Sequence, residues 1–129
     1  MILLDTHVLV WLQLEERRLS REAASAIRRS RSSGSLSISA ISMVELASLM
    51  ERGRIRIHGS IEKAITNFKE EVAVLPVTRE IAVFTAQFPS DFSRDPSDRI
   101  VAATARAEGI PLVTADERIR ACPLVKTIW

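Results

Sequence analysis

Two rhythms of apolar and polar positions alternate along the chain. Positions 2–4, "ILL", are a short uninterrupted apolar run of strand type. From Thr6 to Leu14 the apolar residues Val8, Leu9, Trp11 and Leu12 recur with helical spacing instead. A second helix is expected from Ser20 to about Arg31, with Ser20 as cap, Glu22 in its first turn and Arg28, Arg29 and Arg31 towards its C-terminus. "SSGS" breaks the chain, and Leu36–Ser39 reads as a strand. Ala40–Arg52 reads as a helix closed by Gly53, and Ser60 caps another that reaches Glu71. "VAVLP" is a strand ending at a proline, Thr78–Phe88 a helix, and Pro89–Arg94 a loop. Asp95–Glu108 is a helix closed by Gly109, "PLVT" a strand, Asp116–Arg120 a short helix, and Leu124–Ile128 a last strand.

Strands separated throughout by helices predict parallel pairing with right-handed crossovers, and so an α/β sandwich. No internal repeat, low-complexity segment or long linker interrupts the 129 residues, and a single domain spanning 1–129 is expected.

Composition adds limits. At 47% hydrophobic and 26% charged, the chain is an ordinary globular one rather than a disordered one. No uncharged stretch approaches the ~20 residues of a membrane span. No basic leader precedes an apolar segment, and Asp5 stands where a signal peptide would be most hydrophobic, so a cytoplasmic protein is expected. The lone cysteine, Cys122, reads as a small packed hydrophobe. The net charge is only +2, but Lys63, Lys69 and Lys126 are the only lysines among 18 basic residues, and the rest are arginine. Arginine's planar fork suits phosphates and carboxylates, which tilts the choice of partner towards nucleic acid or an acidic protein.

The candidate chemistry lies in acids that keep the wrong company. Asp5 follows the first strand where the chain turns into a helix, and Asp116 stands in the same position after "PLVT". Taken singly, each reads more readily as a helix cap than as a site acid. Glu45 is the only charged residue in "ISMVELASLM", and Ile41 and Leu49 at i±4 offer it no cation. A carboxylate on so apolar a helix needs a partner, because burying it alone is costly. In "RDPSDRIVAATARAEG", Asp95 precedes a proline and is well placed as a cap, with Arg99 at i+4 to pair with. Asp98 shares its helix face with Val101, Ala102 and Ala105, small residues that let the helix approach a sheet closely.

Open parallel sheets bind ligands beyond the carboxyl ends of their strands, where helices begin. Asp5, Glu45, Asp98 and Asp116 can converge at one such end. Four carboxylates without a cation would repel one another and raise their own pKa values. A hard divalent ion resolves the conflict. His7 and His58 are the only histidines and no zinc-type Cys/His spacing exists, so Mg²⁺ is the natural occupant, with Mn²⁺ as the alternative ion.

The ordered set "LLDTHVLVW", "SMVEL", "DPSDRIVAATA" and "LVTADERI" resembles the PIN-domain family over essentially the whole chain, and within it the VapC-type toxin ribonucleases of prokaryotic toxin–antitoxin modules. The resemblance matches Asp5, Glu45, Asp98 and Asp116 to the family's acidic metal-binding quartet. It matches Thr6, Ser42 and Thr114 to small hydroxyl positions that support it. It implies a three-layer α/β/α fold around a mainly parallel sheet of four to five strands, Mg²⁺-dependent RNA cleavage, a homodimer, and inhibition by a cognate antitoxin protein. The bound ion would lower the pKa of a water, orient it for in-line attack and neutralise charge on the phosphate. Relatives often carry a histidine two residues before the Asp-Pro and an aromatic after it, where this chain has Ser93 and Ser97.

Two basic stretches could hold RNA phosphates or meet an acidic antitoxin segment: the arginines between Arg17 and Arg31, and Arg52, Arg54 and Arg56, which share one side if extended. His7 is either a supporting group for Asp5 or a packed residue. Trp11 and Trp129 read as core or interface. Rival readings are weaker in residues: an aspartyl-phosphate phosphatase needs an acid at position 7, and a phosphoacceptor domain needs one where Ser39 stands. A non-catalytic PIN-like protein-binding module is the remaining alternative.

Overall fold

In the computed structural model, which describes residues 1–129, the apolar run after Met1 is the central strand of a sheet. β1 (Ile2–Leu4), β2 (Leu36–Ser39), β3 (Ala73–Leu75), β4 (Leu112–Val113) and β5 (Thr127–Ile128) lie in the order β3-β2-β1-β4-β5. Every neighbouring pair is parallel, and Leu3 stands opposite Ser37 on one side and Leu112 on the other. Around the sheet run α1 (Thr6–Leu14), α2 (Arg21–Ser32), α3 (Ala40–Glu51), α4 (Ile61–Glu71), α5 (Arg79–Thr85), α6 (Pro96–Glu108) and α7 (Glu117–Ala121), with a 3₁₀ turn at Glu16–Arg18. This is the α/β/α sandwich the sequence predicts. No helix is long and apolar enough to cross a membrane.

Side chains alternate between the faces of a strand, and a parallel sheet is buried on both. Ile2 and Leu4 therefore enter one core, with Val8 and Leu9 of α1, Ala26 and Ile27 of α2, and Leu46 and Met50 of α3. Ile61, Ile65 and Phe68 of α4 lie against its rim, as does Trp129, whose ring meets Trp11 at 5.9 Å. Leu3 and Leu112 enter the other core, with Ile81 of α5, Val101, Ala102, Ala103 and Ala105 of α6, and Ile119 of α7. Cys122 is buried there as a packed thiol.

Three expectations need correction. The helix begun at Thr78 stops at Thr85 rather than Phe88, because Arg99 Nη1 donates to the Thr85 carbonyl at 2.9 Å and Phe88 turns to stack on Phe92 at 4.4 Å. The last strand is only Thr127–Ile128, because a turn from Cys122 to Val125 drops Val125 into the second core. Arg52, Arg54 and Arg56 do not lie on one extended segment. Gly53 adopts the left-handed φ of +70°, and the amides of Arg54 and Ile55 both return to the Leu49 carbonyl, folding the segment back on α3.

The alanines of α6 bring Asp98 to the sheet, and Ala102 has no exposure at all. Ala102→Leu should overpack this contact and cost about 1–3 kcal/mol. Urea unfolding measures it; an unchanged midpoint would mean that α6 does not pack as closely as described.

Candidate metal centre

β1, β2 and β3 step outward in one direction from the centre, whereas β4 returns to the other side of β1. The switch point, where open α/β sheets form their crevice, therefore lies beyond the ends of β1 and β4. Asp5 leaves β1 at that place. Its Oδ1 accepts from the Thr6 amide at 2.8 Å and caps α1, while Oδ2 accepts from Thr114 Oγ1, just past β4, at 2.7 Å. The cap reading of Asp5 thus applies to one oxygen, and the other oxygen of the same buried carboxylate is held by Thr114. His7 supports it from the side. Its Nε2 accepts from the Ala115 amide at 3.1 Å, which puts the proton of the neutral ring on Nδ1, 3.5 Å from Asp5 Oδ2.

Thr6 then links two elements. Its hydroxyl donates to Glu45 Oε1 at 2.6 Å and lies 2.8 Å from the hydroxyl of Ser42, which is fully buried one turn earlier on α3. Asp98, in the first turn of α6, accepts from Ser93 Oγ at 2.7 Å. Asp116 caps α7 through Oδ1, which accepts from the amides of Arg118 and Ile119, and its own amide donates to Thr114 Oγ1 at 3.1 Å. Thr6, Ser42 and Thr114, the three hydroxyls singled out in the sequence, are thus all in contact with the acids or with one another.

The acids lie within electrostatic reach. Burial pushes the Glu45 pKa above its ordinary value; the Thr6 hydrogen bond opposes the shift, and the charges of Asp5, Asp98 and Asp95 add to it. Burial likewise raises Asp98, against the Ser93 hydrogen bond and with help from Asp95, Asp5 and Asp116. No lysine or arginine forms an ion pair with any of these acids; the one contact of that kind is His7 Nδ1, 3.5 Å from Asp5 Oδ2. No three of the acids are close enough to form a ready-made ligand cluster.

Two assignments change. Asp95 does cap α6, accepting from the Ser97 amide at 2.9 Å, but Arg99 does not pair with it. Arg99 instead donates to the carbonyls of Ser93 and Thr85, at 2.7 and 2.9 Å, and pins the loop that carries Ser93. Ser93 itself was legible only as a departure from the family pattern. In space it is a buried hydroxyl that orients Asp98 and accepts from the Asp95 amide. Its place two residues before an Asp-Pro helix start was the available signal.

The PIN domain family model matches residues 2–123. The chain belongs to the PIN-domain family. Ribonuclease VapC22 of Mycobacterium tuberculosis (strain ATCC 25618 / H37Rv) is 37% identical to this PIN domain over 130 residues, 99% of this chain and 98% of that protein. Among solved structures, VapBC2 from Rickettsia felis bound to a DNA fragment of its promoter superposes with a TM-score of 0.74 at 15% identity, covering 98% of this chain and 97% of that one. DNA-bound VapBC from Salmonella typhimurium gives 0.72 at 18% identity, over 98% and 95%. At such identities the structural likeness concerns the fold.

Because Glu45 and Asp98 hold protons more tightly in the folded PIN domain than in the unfolded chain, their contribution is stabilising at low pH. It is complete below the ordinary values of 4.5 and 3.8 and is lost as pH rises through the raised folded ones. In chelator, Glu45→Gln should therefore melt higher than wild type at pH 7, and the gap should close as pH falls towards 4.5. Melting curves across pH 4–8 test this, and a variant that melts lower at neutral pH would refute it.

Proposed function

We propose that this PIN domain is a Mg²⁺-dependent endoribonuclease, the toxin of a prokaryotic toxin–antitoxin pair, with Asp5, Glu45, Asp98 and Asp116 as its catalytic acids and metal ligands. The observation that carries the reading is the group of acids at the switch point, mutually repelling and without a neutralising lysine or arginine. The donor set fits the ion: every candidate ligand atom is a hard oxygen, and His58, lining a separate cavity with Gln13 and Lys63, does not join it. Identity of 37% to a named ribonuclease supports the same reading.

When bound, the ion supplies activation of a water and neutralisation of charge on the phosphate oxygens. The chain supplies placement. Asp5 is the rigid member, with donors on both oxygens. Glu45 and Asp98 each take a single hydroxyl donor, from Thr6 and Ser93, and keep the other oxygen for the ion or for a water bridging to it. Asp116 Oδ1 is occupied by capping, which leaves Oδ2 for the ion or for positioning the attacking water. Acids of which no three form a ready-made cluster suit an ion that retains several waters. The partner expected is an antitoxin, sought first in the neighbouring reading frame, and the protein is expected to act as a homodimer.

Incubation of a broad RNA panel with wild type and Asp98→Asn, in Mg²⁺ and in chelator, tests the reading. Cleavage should need Mg²⁺ and should fall by more than about 100-fold in Asp98→Asn. If both proteins are inert while the antitoxin binds tightly, the domain is a binding module and not an enzyme. Ser93→Ala should keep the fold and lower Mg²⁺ affinity or activity about 10–100-fold, as loss of a group orienting a ligand does. Activity equal to wild type would remove Ser93 from the site.

A further inference from the structure

Beside the acids, a cleft of about 330 Å³ opens between α3 and the start of α6. That is within the range of small-molecule sites, about 300–1,000 Å³. Glu45 belongs to both the acid group and this cleft, so the two are continuous. Ser48 and Arg52 follow Glu45 at i+3 and i+7, on one helical face, and Arg52 stands about 10 Å further along the axis. Ser97 and Asp95 form the facing wall.

Arg52 is the only cation on this surface, and it is unpaired. It makes no ion pair with Glu45, Asp95 or any other acid. Val44, 63% exposed, is the most exposed large hydrophobic residue of the protein, and it lines the same cleft with Leu49. An unpaired guanidinium, an uncovered apolar patch and the hydroxyls of Ser48 and Ser97 correspond to the parts of one ligand: a phosphate, the face of a base, and the polar edges of a nucleoside. The arginine fork binds phosphate through paired hydrogen bonds, and base faces are sequence-tolerant apolar surfaces.

We propose that this cleft is an RNA subsite, in which Arg52 holds the phosphate of a nucleotide flanking the scissile bond and Val44 packs against its base. The proposal rests on the ribonuclease reading and adds the direction in which the strand leaves the acids. It also divides the basic stretches: Arg52 serves the substrate, whereas Arg56 lines the separate cavity with Gln13, His58 and Lys63. The arginines of α2 belong to a helix packed on β2 and β5.

The test titrates a fluorescein-labelled, random-sequence, single-stranded 12-mer RNA, read by anisotropy at several salt concentrations. The proteins carry Asp98→Asn to block turnover, alone or with Arg52→Ala, Arg52→Lys or Arg28→Ala. Arg52→Ala should weaken binding about 5–20-fold and flatten the slope of log K against log salt by about 0.7, the loss of one phosphate contact on a single strand. Arg52→Lys should restore the slope and only part of the affinity, and Arg28→Ala should change neither. Affinity and slope indifferent to Arg52 overturn the proposal, whether or not antitoxin binding weakens. Cleavage by the protein with Asp98 intact separates the two ideas. RNA bound through Arg52 but never cut keeps the subsite and sinks the nuclease, RNA cut without regard to Arg52 does the reverse, and no RNA binding at all defeats both.

Discussion

The Asp5 carboxylate is held by an amide on one oxygen and a threonine hydroxyl on the other, at the end of the central strand. That arrangement ties together the three elements that meet at the switch point. Thr6, whose amide caps Asp5, sends its hydroxyl to α3 and Glu45; Thr114, whose hydroxyl caps Asp5, receives the amide of Asp116 at the start of α7. A buried charge tolerates such a place only when its lone pairs are filled, since an unpartnered carboxylate costs several kcal/mol. No buried polar side-chain atom in the protein lacks a partner. Desolvation of Glu45 and Asp98 nevertheless remains the largest uncompensated effect, and the repulsion of like charges adds to it.

The fold concentrates that repulsion for a geometric reason. In a parallel sheet every strand ends on the same edge and every following helix begins there, so capping acids gather at one place. Asp5, Asp95 and Asp116 cap α1, α6 and α7 in turn. Each gains backbone amides and the positive end of a helix. The cost is a local excess of negative charge that the protein's own cations do not relieve. Its arginines are numerous, but they are directed elsewhere: Arg99 to two loop carbonyls, Arg18 over the Trp11 ring at 4.1 Å, and Arg31 to Glu71.

Much of this was readable in the chain because burial leaves a strong pattern. Apolar runs of three or four residues between amphipathic helices imply a parallel sheet, and Glu45 and Asp98 betray themselves by apolar neighbours at helical spacing. What escaped was set by competition between local and distant partners. Arg99 stands at the right spacing to pair with Asp95, but two carbonyls of a neighbouring loop, fixed in place, outcompete an exposed carboxylate. "RGRIRI" alternates like a strand, but one glycine with positive φ turns it back on α3. Ser93 has no pattern of its own; a serine in a loop becomes meaningful only when the loop is pinned against a helix start.

The hydrogen bonds also rank the acids by what a cation would do for them. Asp5 and Asp116 accept from backbone amides, which cannot move away without unwinding a helix end. Glu45 and Asp98 accept from one side-chain hydroxyl each, receive no amide, and have raised pKa values. Rotation of a single side chain frees them. The first pair is therefore a fixed frame and the second pair the adjustable half. Such a division reconciles acids that share a field with acids of which no three form a closed cluster. The hydroxyls of Thr6 and Ser93 stand behind this second pair, and a hydroxyl orients a carboxylate without neutralising its charge, so the like-charge repulsion persists there.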